Sequence, residues 1–344
     1  MFNLRALQLK GFRCFKEHVC SFVPGLNCIV GPNAVGKTSI LEAIYFLSTG
    51  RSFRGAKSPK LVCHEASGFA IGGLFEKYGV SQHLSMRFEG GVKRIWHNRA
   101  ACSSHVRLFG VFPLIVLHPG DISLVRGTPS IRRGLMDVHL SQTDPLYVHY
   151  LMRYLRALKQ RQVLLHRKAS CGFDVWEEEM ANAAAYISCR RHRFLQDLER
   201  HVLHVSWVRF PVELTLSQKT LFSDLKEGAS HYRTVFDKDR VRDMRLGYTQ
   251  SGPHRDDFFL RSEGRDIKHF ASEGEARALA AALKFAECAC MEHYLDFEPL
   301  LLVDDIGVGF DDERLHIFLH ALEKKPQVII SSTKQHDVGH VIRI

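Results

Sequence analysis

The chain has 344 residues, 45% apolar and 24% charged, a globular balance in a length that points to about two lobes. No apolar run approaches the roughly 18 to 20 residues of a membrane span, and the opening MFNLRALQLKGFRCF has neither the apolar stretch nor the cleavage site of a signal peptide, so a cytoplasmic protein without a membrane partner is expected. The formal net charge is +10, and residues 101–170 hold ten Lys/Arg against three acids, so +7 of it sits in one stretch and a polyanion is the natural partner.

In chain order, LRALQLK (4–10) and EHVCSFV (17–23) read as strands joined by a turn at Gly11-Phe12-Arg13. The short apolar run LNCIV (26–30) reads as a buried strand ending at Gly31. A helix is expected from Lys37 to about Thr49, with Ile40, Leu41, Ile44 and Leu47 on one stripe. Residues 69–97 alternate around Gly-Gly breaks, as an antiparallel meander does. Asp144-Pro145 reads as an N-cap with proline in the first turn, opening a long helix that places Leu151, Leu155, Leu158 and Leu165 on one face and Arg153, Arg156 and Arg167 on another. A second long helix is expected over about Trp176 to Val205, and strand-like or irregular segments from Val212. Then come a helix from Ser272 to about Leu295, the buried strand of PLLLVDD (299–305), a helix over about Asp312 to Leu322, and the strand QVIISST (327–333). Alpha/beta material thus flanks a helical middle. Both chain ends, 1–100 and 210–344, are expected to build one lobe, and 101–209 a second, helical and basic one. The nine cysteines, scattered without a CxxC pair, read as small buried apolar residues.

Three motifs carry chemistry. The first is Gly31-Pro32-Asn33-Ala34-Val35-Gly36-Lys37-Thr38, followed by Ser39, a full GxxxxGK[ST] match with a strand before it and a helix after. The glycines let backbone N–H groups turn toward phosphate oxygens, and the helix N-terminus adds its partial positive charge. Lys37 is expected to reach the terminal phosphates of ATP, and the Thr38 hydroxyl to ligate Mg²⁺. The second is LLLVDD, where an apolar strand delivers Asp304 toward the metal and Asp305 toward the attacking water. The third is FASEGEARALAAAL, a Ser-x-Gly helix start with Ser272, Gly274 and Glu275. Read alone, it is an N-cap with acids suited to the helix dipole. In this order it resembles the signature of ABC-type ATPases, in which the serine binds the γ-phosphate held by a second subunit.

With loop, insertion, signature and LLLVDD in this order, the chain resembles the head domains of SMC-like repair ATPases, and more narrowly the RecF family. GPNAVGKTSILEAIYFLSTGRSFR (31–54), LHPGDISLVRGTPSIRRGLMD (117–137), YTQSGPHRDDF (248–258) and the segment 270–305 carry the likeness, with ALKQRQVLL (157–165) between them. It implies an α/β fold, an ABC-type P-loop ATPase head (lobe I) with an inserted, mainly helical lobe II. It implies an ATP-dependent homodimer, slow DNA-stimulated hydrolysis, binding to duplex DNA beside single-stranded gaps, and action with RecO and RecR in loading RecA. The basic middle supplies the DNA candidates: Arg132, Arg133, Arg153, Arg156, Lys159 and Arg161. No base-reading motif accompanies them, so recognition of structure with little sequence preference is expected.

Two departures stand out. Glu275 replaces the family's usual glutamine, placing an extra acid near a γ-phosphate, and Gly307-Val308-Gly309-Phe310-Asp311 replaces a Ser/Ala-Glu-Leu-Asp segment. Ser331, Ser332 and Thr333 end the last strand, either as γ-phosphate sensors or as ordinary strand-end hydroxyls. SGPHRDDF reads only as a polar turn. An ATP-binding transporter subunit and a nucleotide-binding scaffold without turnover remain the alternatives.

Overall fold

The computed structural model describes residues 2–102, 104, 108–208, 210–217, 222, 224–305, 311–333 and 339–344. They divide into two compact units, Met1–Val125 with His204–Phe210 and Phe270–Ile344, and Arg126–Leu203 with Pro211–His269.

The first unit holds two sheets. Strands β1 (Phe2–Phe12), β2 (Phe15–Ser21), β4 (Gly68–Lys77), β5 (Val80–Glu89), β6 (Val92–His97) and β7 (Ala100–Ala101) form an antiparallel sheet in the order β2-β1-β4-β5-β6-β7. Strands β3 (Gly25–Val30), β8 (Leu114–Leu117), β12 (Leu300–Val303), β13 (Gln327–Ser332) and β14 (His340–Arg343) form a parallel sheet in the order β14-β3-β13-β12-β8. Helix α1 (Lys37–Thr49) follows β3 directly. Alternation along the parallel strands separates two cores. Ile29, Leu114, Val116, Leu300, Leu302 and Ile329 share one with α1 and with Leu4, Leu7 and Leu9 of β1. Cys28, Ile115, Leu117, Leu301, Val303 and Ile330 share the other with helix α7 (Glu273–Leu295), which packs through Ala278, Ala281, Ala282 and Phe285. Helix α8 (Asp312–Glu323) joins that second core through Phe318 and Leu322. The alanines of α7 let its backbone approach a β-sheet already filled by branched side chains.

The second unit contains α3 (Pro129–Thr143), α4 (Pro145–His166), α5 (Phe173–Val202) and α6 (Leu225–Leu246), and the short α2 (Ser123–Arg126) lies at the boundary. It also has a three-stranded antiparallel sheet, β11 (Arg265–Asp266), β10 (Phe258–Ser262) and β9 (Glu213–Leu216), in that order. Asp144 caps α4 by accepting the Leu146 N–H at 3.0 Å, as its place before Pro145 implies.

Three expectations need correction. The units do not divide at 101 and 210. Strand β8 pairs in parallel with β12, and Trp207 donates its indole N–H to the Ala278 carbonyl at 3.1 Å, so 101–125 and 204–210 belong to the first unit. Strands β9 and β10 pair with each other and α6 packs on α5, so 211–269 belong to the second. The segment after Val212 is therefore not all strand and loop, because α6 fills 225–246, burying only Gly228, Tyr232, Phe236 and Asp243. On α4 the buried face runs through Tyr147, Tyr154, Ala157, Leu158, Arg161 and Leu165, and Leu155 stands outside it, half exposed. Of the cysteines, Cys14 and Cys171 are exposed, while Cys20, Cys28, Cys63, Cys288 and Cys290 are buried as expected. Among the described residues no helix is long and apolar enough to cross a membrane.

Candidate active site

The glycine loop sits between β3 and α1, where the sequence puts it. Gly36 adopts φ 112°, and a Cβ there would lie 2.5 Å from the Phe15 ring and 2.6 Å from Cys14 Sγ, so only glycine lets the loop pass under the turn between β1 and β2. Gly31 is confined in the same way, because a Cβ would lie 2.7 Å from the Ile344 carbonyl. The Lys37 ammonium, largely buried, donates to the carbonyls of Gly31 at 2.7 Å and Pro32 at 2.6 Å. It is thereby held at the mouth of the loop, and its helix points its first N–H groups the same way.

Opposite the loop, β12 delivers Asp304 and Asp305. Asp304 Oδ1 accepts from the Thr38 hydroxyl at 2.8 Å and from the Ser331 hydroxyl at 2.7 Å, and Ser331 Oγ accepts from the Asp305 N–H at 2.8 Å. Four residues separated by up to 293 positions thus form one hydrogen-bonded chain across the start of α1 and the ends of β12 and β13. The paired hydroxyl and carboxylate are hard oxygen donors of the kind Mg²⁺ takes, so Thr38 and Asp304 fit the metal expected beside a triphosphate. A cleft of about 700 Å³ opens here, lined among others by Asn33, Ala34, Ser39, Asp304, Asp305 and Thr333. Asp305 adopts φ 57°, which turns its exposed side chain at the end of the strand.

The loop is also supported from below. Arg13 donates two hydrogen bonds of 2.7 Å to Glu42 of α1, which is fully buried, and the Ser52 hydroxyl donates to the same carboxylate. Sequence reading passed over Arg13, Glu42 and Ser52. Only the buried acid in the middle of an apolar helix stripe hinted at them.

The signature residues open α7. Ser272 caps the helix, its hydroxyl accepting the Glu275 N–H at 3.2 Å, while Glu275 Oε2 accepts the Ser272 N–H at 2.8 Å. Glu275 is therefore half of a reciprocal capping box. Those contacts with Ser272, the backbone N–H first, hold its carboxyl below the usual carboxylate range and keep it charged at neutral pH. Ser272 is exposed and Gly274 half-buried, so the helix start is accessible. Of the altered segment after Asp305, residues 307–310 lie outside the described residues. Asp311 caps α8 by accepting the Arg314 N–H at 2.8 Å.

The six DNA candidates separate sharply. Arg161 has no exposed surface and donates to Glu177 at 3.0 Å, Asp243 at 2.6 Å, Thr249 at 2.8 Å and the Phe236 carbonyl at 3.1 Å. Arg132, also buried, forms a two-pronged pair with Asp257 at 2.6 and 2.9 Å. Neither can reach a phosphate, and both are corrected to internal supports. Arg133 is half-buried and donates to the Asp256 carbonyl at 2.8 Å, and Arg153 is exposed but clasped by Glu179. Arg156 and Lys159 are exposed on α4.

The same contacts give SGPHRDDF its role. Asp257 holds Arg132, and Arg191, buried on α5, donates to Asp256 at 2.7 Å and to the Pro253 carbonyl at 2.6 Å. His254 Nδ1 lies 2.6 Å from the Tyr154 hydroxyl, and burial pushes its imidazole down to about 4, so it stays neutral. The stretch is an internal clasp of the second unit. A polar octapeptide does not announce this, because its partners lie on α3, α4 and α5.

A family model described as an AAA domain matches residues 6–109. The DNA replication and repair protein RecF of Protochlamydia amoebophila is 38% identical over 346 residues, covering 98% of this chain and 96% of that protein. RecF of Halalkalibacterium halodurans is 31% identical, covering 98% and 94%. A solved structure of the recombination mediator protein RecF with ATP, in the RecFOR pathway, superposes with a TM-score of 0.90 at 29% identity, over 98% of this chain and 94% of that one. The fold is shared more distantly with an SMC head bound to the C-terminal winged-helix domain of ScpA, at a TM-score of 0.56 and 16% identity over 96% and 90%.

Proposed function

The chain belongs to the RecF family of DNA replication and repair proteins, and from that premise we propose that it is an ATP-driven clamp for gapped DNA. In this reading, two heads close around two nucleotides, hold duplex DNA beside a single-stranded gap, and act with RecO and RecR in loading RecA. Slow, DNA-stimulated hydrolysis reopens the dimer. The observation that supports it most is the hydrogen-bonded chain Thr38–Asp304–Ser331–Asp305 facing the Lys37 loop, with an accessible signature helix start on the same unit.

The loop from Gly31 to Ser39 grips the triphosphate through backbone N–H groups, and Lys37 moves from the loop carbonyls to the terminal phosphates. Mg²⁺, held by Thr38 and Asp304, would neutralise charge on the phosphates. Asp305 orients the attacking water, its backbone fixed by Ser331. Ser272 and Gly274 present their helix start to the nucleotide of the second copy, so ATP is shared across the interface. Exposed Arg156 and Lys159 supply sequence-independent phosphate contacts, joined by Arg133 and Arg153 if their present partners release them.

Dimerisation tests the reading. Light scattering is expected to show ATP, and not ADP, raising the mass to that of a dimer. A monomer at every nucleotide concentration favours the non-hydrolysing scaffold, and a dimer indifferent to DNA favours the transporter subunit.

Glu275 sharpens the test. Glu275→Gln keeps the cap, because glutamine accepts the same Ser272 N–H, and it removes one negative charge facing the partner's γ-phosphate. ATP-dependent association, read by analytical ultracentrifugation, is expected to tighten roughly fivefold, worth about 1 kcal/mol. An unchanged dimer constant would place the carboxylate outside the sandwich. The sign with pH is also set. The folded carboxyl titrates below its unfolded value, so its capping contribution is complete above the ordinary glutamate range and fades as the pH falls through the lower folded value.

A further inference from the structure

We infer that the loop 51–60, RSFRGAKSPK, is a second binding surface for a nucleic-acid sugar–phosphate backbone, set on the ATPase unit at the lip of the nucleotide cleft. The inference rests on the DNA-binding reading above and adds a place for it outside the helical unit.

The loop carries Arg51, Arg54, Lys57 and Lys60 and no acid. All four are exposed, and none pairs with a carboxylate among the described residues. The acid beneath the loop, Glu42, is already taken by Arg13 and Ser52. A further cation adds to the crowding. Lys93 of β6 donates to the Gly50 carbonyl at 2.6 Å, and its ammonium is held below the usual lysine range, first by burial and then by the charge of Arg51. Arg51 and Lys93 therefore sit close enough to repel each other, and with Arg54, Lys57 and Lys60 on a segment that holds no acid they make a patch of the kind that attracts a polyanion.

The backbone is already ordered for this. Ser52 Oγ accepts the N–H groups of Arg54 at 3.1 Å and Ala56 at 3.3 Å. Arg13 also donates to the Lys60 carbonyl at 3.2 Å, and the Lys60 N–H donates to Lys57 at 2.9 Å. An anion meeting the loop orders only side-chain tips, which lowers the entropy cost of binding. Arg54 and Lys60 line the nucleotide cleft, and Arg51 and Lys57 do not. A triphosphate in the cleft thus leaves the second pair unmatched, whereas a strand running along the lip meets it. The loop would carry phosphate contact on both sides, nucleotide within and nucleic acid without.

The test is the double variant Arg51→Ala/Lys57→Ala in the full chain. Both side chains are exposed, so the unfolding midpoint should hold and is checked first. Binding to a fluorescent gapped duplex is measured with ATP over a salt series, and nucleotide affinity is titrated separately with a fluorescent ATP analogue. The expected result is a salt slope lower by about 2 for each bound protomer in log K against log salt, about 0.9 for each lost phosphate contact, with nucleotide affinity unchanged. The swap Arg51→Lys/Lys57→Arg should restore the slope, because the contact needs charge and not a particular shape. An unchanged slope where the unsubstituted chain binds DNA overturns the inference and leaves the DNA reading standing. A loss of nucleotide affinity with the DNA slope intact also overturns it and assigns the loop to the triphosphate alone. Absence of DNA binding by the unsubstituted chain overturns both.

Discussion

Lys37→Ala is expected to lower ATP turnover by about 100- to 1000-fold, the effect of removing one preorganised charged donor from a site of developing negative charge, about 2.7 to 4 kcal/mol. The Lys37 ammonium already occupies the mouth of the loop, 2.7 and 2.6 Å from the Gly31 and Pro32 carbonyls. Its removal leaves the inward N–H groups and the helix end in place, so nucleotide is not wholly excluded. The fold core is untouched, because the apolar side chains of α1 lie beyond the loop. Two readouts check this. Steady-state phosphate release should fall to background. In thermal melts, ATP at a concentration that saturates the unsubstituted chain raises its midpoint by mass action and raises the variant's much less. A variant that melts with the full ATP-dependent rise and turns over normally would contradict the placement of Lys37 at the phosphates.

Arg161→Met is expected to destabilise the second unit by about 3 kcal/mol, the low end for breaking a buried charge network by removing one partner. The low end applies because the stranded acids keep other contacts. Glu177 retains Arg240 at 2.5 Å, and Asp243 retains the Gln250 N–H at 3.0 Å. A urea titration followed by circular dichroism should show the loss as a lower midpoint with an unchanged slope. Where the variant is still folded, its affinity for gapped DNA should equal that of the unsubstituted chain. A stable variant with weakened DNA binding would restore Arg161 to the DNA surface, against its lack of any exposed area.

Those two lysine and arginine positions show what a single sequence makes legible. Lys37 is readable because its chemistry lies within six residues of its partners, in a strand, loop and helix whose periodicities are strong. Asp304 was found in the same way, as an acid ending an apolar strand, although its 2.8 Å bond to Thr38 spans 266 positions. Arg161 and Arg132 were misassigned because a cation's role depends on where the acids are, and theirs lie on other segments, 16 and 82 positions away for Arg161 and 125 for Arg132. Charge counted along the chain cannot distinguish a buried guanidinium from an exposed one. Helix α6 escaped for a related reason. It buries Tyr232 and Phe236 and exposes most of a charged surface, so the apolar stripe that marks a helix is too thin to register. Glu275 was read as a disturbance of the signature. Its reciprocal bonds with Ser272 show that the same side chain also completes the helix cap, a role glutamine would fill without the charge.

Binding of a fluorescent gapped duplex, read by anisotropy with ATP and with ADP for the unsubstituted chain and for Ser272→Arg, tests the central claim most directly. Ser272 is exposed at the start of α7, so in the proposed dimer an arginine there would block the partner's γ-phosphate without entering either core. The account predicts that ATP strengthens DNA binding by about tenfold or more in the unsubstituted chain, through the second set of phosphate contacts a dimer provides, and that Ser272→Arg binds DNA with ATP only as the unsubstituted chain does with ADP. Equal DNA affinity in all four conditions would contradict it, reducing the basic residues to an electrostatic anchor unconnected to the nucleotide.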